Sequence, residues 1–291
     1  MGDNDGLPGW VRSRLGDKVP GRGTVKVIRA LAVHPQRMSF ASAAQAAALA
    51  GVNAATVVRA AQLLGYTGWP PLRSDLRSRY LSSLSASQVL SEHSPTGDGP
   101  ASATLRRELA NLQDLALLLD EEQLGRVSRI VDQARVTLVL GSGSFAAPGL
   151  QFSHLAQTLG HDVRLCRAGG TALINAVSLL REGDCLMVFH LWRSPHEIRN
   201  AMRIAANAGA TLVLVSDQAG GELSELSEEL VLVPSEGSSM FPSLVAATTV
   251  VQATIATLVA LDETAAAAAS DRVEELWNTY HLFPDPSTGL Q

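Results

Sequence analysis

At 291 residues, with 46% hydrophobic residues, 18% charged residues and a net charge of −5, the chain is long enough for two domains and too apolar for intrinsic disorder. No apolar run of about 18 residues is free of charge, and the acidic, Gly-rich residues 1–10 lack the basic and apolar stretches of a secretory leader. A cytoplasmic protein without a membrane span is therefore expected. The two cysteines, Cys166 and Cys185, are too few for a Cys-based zinc site, and the seven histidines show no ligand spacing, so neither a metal nor a cofactor is expected.

Charge is divided unevenly. Residues 1–80 carry eleven Lys and Arg against four acids, a net of +7, and the remaining 211 residues carry twelve against twenty-four, a net of −12. A basic head on an acidic body directs a polyanion to the head alone. In chain order, residues 1–23 read as a flexible N-terminus. Residues 24–82 form an Ala-rich helical head, broken at His34-Pro35, Gly51 and Gly65. Residues 83–134 hold a Ser/Pro/Gly linker (SEHSPTGDGPA) and two connecting helices, the first over 102–120 with Ser102 as N-cap and the second over 121–133.

From residue 135 to 264 the period changes. Short Val/Leu runs at 136–140, 163–166, 185–189, 211–215 and 230–233 alternate with helical stretches such as 148–159, 171–180 and 195–208. Such runs describe a doubly wound, five-stranded parallel sheet covered on both faces, with both cysteines as unpaired core residues. The stretch 243–261 is apolar nearly all round, which implies burial or a subunit interface. Residues 265–291 read as a C-terminal helix and tail.

The strongest motif is residues 43–64, AAQAAALAGVNAATVVRAAQLL. A helix-turn-helix needs a small residue where its helices cross, a Gly at the turn, and an aliphatic residue locking the second helix. Ala47, Gly51 and Val57 fill these places, and Asn53 suits the cap of the second helix. That helix would bury Val57, Ala60, Ala61 and Leu64, and present Asn53, Ala54, Ala55, Thr56, Arg59 and Gln62 to the major groove. Arg and Gln suit bidentate contacts to guanine and adenine.

These residues resemble the head of RpiR/MurR-type bacterial regulators, above all in TVVR followed by LGYTGW: Thr56, Val57, Val58, Arg59, Leu64, Gly65, Tyr66, Gly68 and Trp69. The resemblance implies double-stranded DNA as partner, a homodimer or homotetramer, and a pseudo-palindromic operator. The region after residue 135, with its phrase AANAGATLVLVSD, resembles the sugar-isomerase (SIS) domain usually attached to that head. It implies a sensor of a carbohydrate derivative rather than an enzyme.

The loops that would hold such a ligand depart from the family. After the first strand, GSGSFAAPG places Phe145 where a serine is usual, leaving Ser142 and Ser144 as offset substitutes, with a helix from about Pro148 to offer amides to an anion. After the third strand, the family's Ser-x-Ser-Gly-x-Thr-x-Glu is replaced by His190, Leu191, Trp192, Arg193, Ser194, Pro195, His196 and Glu197, of which only Glu197 is retained. The expected pocket therefore uses His190, Trp192, Arg193 and Ser194, with Glu236, Ser238 and Ser239 from the loop after the fifth strand as a third wall. Arg193 suits an acidic effector. An aromatic effector, or a domain kept chiefly for oligomerisation, stays open. Three rival functions also stand: an NAD(P)-sensing repressor, from GSGSFA; a sugar-phosphate isomerase with an accessory head; and a structural nucleoid protein.

Overall fold

The computed structural model describes residues 8–93, 99–193 and 195–283. Its N-terminal part is helical: α1 (Gly9–Leu15), α2 (Arg22–Val33), α3 (Pro35–Phe40), α4 (Ala43–Ala50), α5 (Ala54–Leu63), α6 (Trp69–Ser83) and α7 (Ala86–Glu92). Local chemistry sets these boundaries. Pro35 opens α3, where its missing N–H leaves nothing unsatisfied. Ser42 and Gln45 form a reciprocal capping box at the start of α4, and Gly51 ends that helix in the left-handed conformation at φ 62°. The Asn53 carboxamide oxygen accepts the Thr56 N–H at 2.9 Å and starts α5. Between α4 and α5 the chain turns by 94°.

That turn lets the two helices bury small residues against each other. Ala46, Ala47, Val57, Ala60, Ala61 and Leu64 join Val27, Leu31, Met38 and Leu72 in one core. The indole N–H of Trp69 donates to the Ala41 carbonyl at 2.9 Å and pins α6 beneath this core. α1 contributes Val11 and Leu15 to it.

Two helices lead on, α8 (Pro100–Leu118) and α9 (Glu121–Gln133). α8 starts at Pro100 with Gly99 as its cap, not at Ser102, because a proline at the first position is already set to the helical φ. Asp120 accepts from the Glu122 N–H and starts α9. Leu105, Leu109 and Leu117 of α8 stand exposed, while Asn111 and Leu115 are buried.

The rest is a doubly wound sheet. Strands β1 (Thr137–Gly141), β2 (Val163–Cys166), β3 (Cys185–His190), β4 (Thr211–Ser216) and β5 (Glu229–Leu232) are all parallel, in the order β2-β1-β3-β4-β5. Helices α10 (Ala146–Thr158), α11 (Gly170–Val177), α12 (His196–Asn207), α13 (Glu222–Leu226), α14 (Val245–Leu261) and α15 (Glu263–Thr279) complete it. Alternate strand residues serve opposite faces. Val139, Met187, Phe189, Val213, Val215 and Val231 pack with α9, α10 and α14, and Leu138, Leu140, Leu186, Val188, Leu212 and Leu214 pack with α11 and α12. Cys166 and Cys185 are unpaired. Among the described residues, no single helix is long and apolar enough to cross a membrane.

The glycine pattern after β1 has packing reasons. A Cβ on Gly141 would lie 2.6 Å from the Ala146 Cα, and one on Gly149 would lie 2.9 Å from Val139 Cγ1. A 3-10 turn over Gly143–Phe145 runs straight into α10, which therefore begins at Ala146, ahead of Pro148. The Ala146 N–H is already bonded to the Gly143 and Ser144 carbonyls, so it is not open to an anion.

Candidate functional site

Two places concentrate unusual chemistry: the outer face of α5 and the carboxyl ends of the strands. On α5, Asn53, Ala54, Ala55, Arg59 and Gln62 are exposed. Thr56 is not. It is 8% exposed, with its methyl directed at Gly23 of α2, where a Cβ would meet it at 3.0 Å. Its hydroxyl bonds the Asn53 Oδ1 at 2.9 Å and accepts from Arg59 Nη2 at 2.8 Å. Thr56 thus belongs to the packing of α5 on α2 and orients Arg59 from below, which corrects its place among the outward residues. The polar side chain suggested exposure, and the close approach of α2 at Gly23 decided otherwise.

The neighbouring helix supplies charge that the motif alone did not pick out. Arg22, Lys26 and Arg29 are exposed at successive turns of α2. The signal available in the sequence was their spacing, four and then three residues apart, which sets them on one helical face.

At the strand ends the expected pocket residues separate. Ser142 is half-buried and Ser144 exposed, both at the tip of β1. His190 ends β3, and burial together with the charge of Arg199 pushes its imidazole down to about 4. Trp192 holds a left-handed backbone at φ 72°, and its N–H is shared by both carboxylate oxygens of Asp217, at 3.1 and 3.2 Å. Asp217 is buried, and burial pushes it up to about 6 against the hydrogen bonds from the Ser235 hydroxyl and the Trp192 amide. Ser194 lies outside the described residues.

Arg193 does not offer an open fork. Its guanidinium donates to the Ser82 carbonyl at 2.7 Å and to the Leu84 carbonyl, completing the C-terminal end of α6. Glu236 is similarly engaged: its carboxylate pairs with Arg77 of α6, with Arg107 of α8 at 2.8 Å, and with His93 beyond α7 at 3.4 Å. The contact with His93 and the charges of Arg77 and Arg107 hold it below the usual carboxylate range in spite of its burial. Its backbone carbonyl accepts from Asn111 at 2.9 Å. Ser238 bonds Thr104 at 2.6 Å, and the Ser239 carbonyl meets His93 Nδ1 at 2.9 Å. The loop after β5 is thus a junction between the helical head, the connecting helices and the sheet.

Sequence reasoning missed the head's side of this junction. Arg79 pairs with the buried Asp75 at 2.9 Å, donates to the Ala219 carbonyl after β4, and stacks on Trp10. Tyr66 donates to the same Asp75. An acid within a basic helix was the available signal. A cavity of about 270 Å³ opens beside Arg79, between the ends of β3 and β4, with His190, Arg199, Ser216, Gln218 and Ser224 on its walls.

Residues 23–83 match the family model described as a helix-turn-helix domain of the rpiR family. The crystal structure of an RpiR transcription factor from Sphaerobacter thermophilus (sugar isomerase domain) is 20% identical with a TM-score of 0.58, covering 60% of this chain and 98% of that one. The Vibrio vulnificus NanR protein complexed with ManNAc-6P is 21% identical with a TM-score of 0.59, covering 95% of this chain and 99% of that one. The chain therefore carries an RpiR-family helix-turn-helix domain, followed by a domain with the sugar-isomerase fold.

Proposed function

We propose, from the premise of an RpiR-family head on a sugar-isomerase fold, that this protein is a sequence-specific DNA-binding transcriptional regulator that senses a small metabolite. The observation that carries this reading is the open face of α5, with Arg59 held by Thr56 and Asn53, beside the basic face of α2. Arg59 and Gln62 read base edges, Asn53 begins the recognition helix, and Ala54 and Ala55 allow its N-terminal end close to the groove. Arg22 and Lys26 hold the phosphates and carry no sequence information. The protein works in the cytoplasm as a dimer or tetramer on a pseudo-palindromic site, and the exposed leucines of α8 support such an assembly.

The sugar-isomerase fold acts here as a sensor and not as an enzyme. A catalytic carboxylate must reach its substrate, whereas Glu236 is engaged by Arg77 and Arg107, and Glu197 accepts the Gly170 N–H at 2.9 Å. Nor does the sensor use a hydroxyl-lined phosphosugar loop. The segment after β3 has an imidazole, an indole and a guanidinium there, and the guanidinium is committed to α6.

Selection of binding sites from random duplexes tests the reading. The expected product is a two-fold symmetric motif with half-sites about one helical turn apart, or a multiple of it. Binding without any enriched sequence would favour an architectural role and defeat the proposal.

A further inference from the structure

The cavity beside Arg79 has a charge balance that specifies its ligand more closely than the fold does. Arg79 is neutralised by Asp75, and Glu222 on the rim is paired with Arg203 of α12. Arg199, one turn before Arg203, makes no direct hydrogen bond or close ion pair among the described residues, and its charge reaches Glu222 only as a weaker influence behind that of Arg203. The cavity thus presents one cation without a close counter-ion. Around it stand groups that recognise hydroxyls. Ser216 Oγ accepts from the Gln218 N–H at 3.2 Å and Ser224 Oγ from the Gly220 N–H at 3.0 Å, so each hydroxyl still has a proton to donate. The Gln218 side-chain nitrogen is directed to Ser82 Oγ and the Trp192 carbonyl, which leaves its oxygen as an acceptor. Leu214 and Leu223 provide apolar wall for a carbon chain.

From this arrangement we propose that the cavity between the ends of β3 and β4 binds a small hydroxylated monocarboxylate, with its carboxylate on the Arg199 guanidinium and its hydroxyls on Ser216, Ser224 and Gln218. A planar carboxylate matches the guanidinium fork, and one negative charge matches one unpaired positive charge. A phosphate dianion calls for a second cation, and His190, the nearest candidate, is kept neutral by burial and by Arg199 itself. The site is distinct from the crevice between β1 and β3, where the strand order reverses and where ligands of open parallel sheets ordinarily sit.

Its position gives binding a consequence, which rests on the reading of the protein as a regulator. Arg79 forms one wall and also holds α6 of the DNA-reading head to the Ala219 carbonyl. A ligand that shifts Arg79 changes the docking of that head, and it alters DNA affinity to the extent that it binds the two arrangements unequally.

Calorimetric titration of the full chain with D-gluconate tests the proposal, with D-glucitol as its neutral counterpart and D-glucose 6-phosphate as a dianion. Gluconate is expected to bind at least about tenfold more tightly than either comparator, and Arg199→Gln to weaken it by about tenfold or more, as loss of a charge-assisted pair implies. Arg199 is exposed, so the variant leaves the core untouched. Equal gluconate affinity in Arg199→Gln, preference for the phosphate, or no binding by gluconate or the shorter D-glycerate would each overturn it. Operator selection without ligand reports separately on the DNA-binding reading.

Discussion

The open face of α5 and the junction at the strand ends use polar side chains in opposite ways. On α5, Arg59 and Gln62 stand in solvent, and their nearest supports lie within the same helix or its cap. At the junction, Glu236, Asp75 and Asp217 are buried, and each meets a partner outside its own element: Arg77 for Glu236, the Ala219 backbone for Asp75 and Ser235 for Asp217. The first arrangement leaves groups available for a partner at small cost to the fold. The second joins two cores at the expense of desolvating charges, so its members cannot be changed singly without a large effect.

The largest expected effect is at Glu236. Glu236→Ala leaves Arg77 and Arg107 facing each other without their shared carboxylate, and breaking such a buried pair costs about 3–5 kcal/mol. Urea unfolding would measure it, and a loss below about 1 kcal/mol would mean that the junction contributes little to stability. Asp217 sharpens the contrast through pH. Its folded pKa is raised by burial to about 6, so folding favours the protonated form. The stability it lends is present below its unfolded value near 4 and fades as pH rises towards 6. Asp217→Asn removes that dependence, and the difference between wild type and variant should change by about 2 kcal/mol between about pH 4.5 and pH 7. A pH-independent difference would refute the assignment.

On α5 the effects should fall on DNA binding. Arg59→Ala should lower affinity for the selected operator by about 1–3 kcal/mol while leaving urea unfolding almost unchanged. Lys26→Ala should instead weaken selected and scrambled duplexes alike and flatten the salt dependence, in an anisotropy titration at two salt concentrations. If Arg59→Ala behaved like Lys26→Ala, base reading would lie elsewhere on the head. The smallest effect is at the cap: Asn53→Ala should cost about 1 kcal/mol of stability, visible as a modest fall in the unfolding midpoint.

Much of the architecture is legible in the sequence. The 3.6-residue pattern with Gly51 and Asn53 announced two helices crossing at a small residue, and the Val/Leu runs announced a parallel sheet covered on both sides. The junction was not legible in the same way. Glu236 and Arg193 were readable as polar residues on loops at the strand ends, yet the sequence could not say whether those loops face a ligand or the helical head. Thr56 shows the same limit within a single helix, since its burial depends on Gly23, a residue of another helix 33 positions earlier.

By itself, then, the sequence determined what short-range rules control: where the helix-turn-helix turns and is capped, which segments form the strands of a sheet covered on both faces, which segment carries the positive charge, and which motif marks the helix-turn-helix family. Hydrogen bonds to the nearest backbone groups and the period of apolar residues are local, so they need no knowledge of the rest of the chain. Only the tertiary structure decided that Arg193 completes α6, that Glu236 gathers cations from the head and from α8, and that Arg199 stands beside a cavity without a close ion-pair partner among the described residues. Arg77 and Glu236 are 159 positions apart. Which polar group meets which at that distance is set by how two apolar cores dock, and that follows from the packing of the whole molecule.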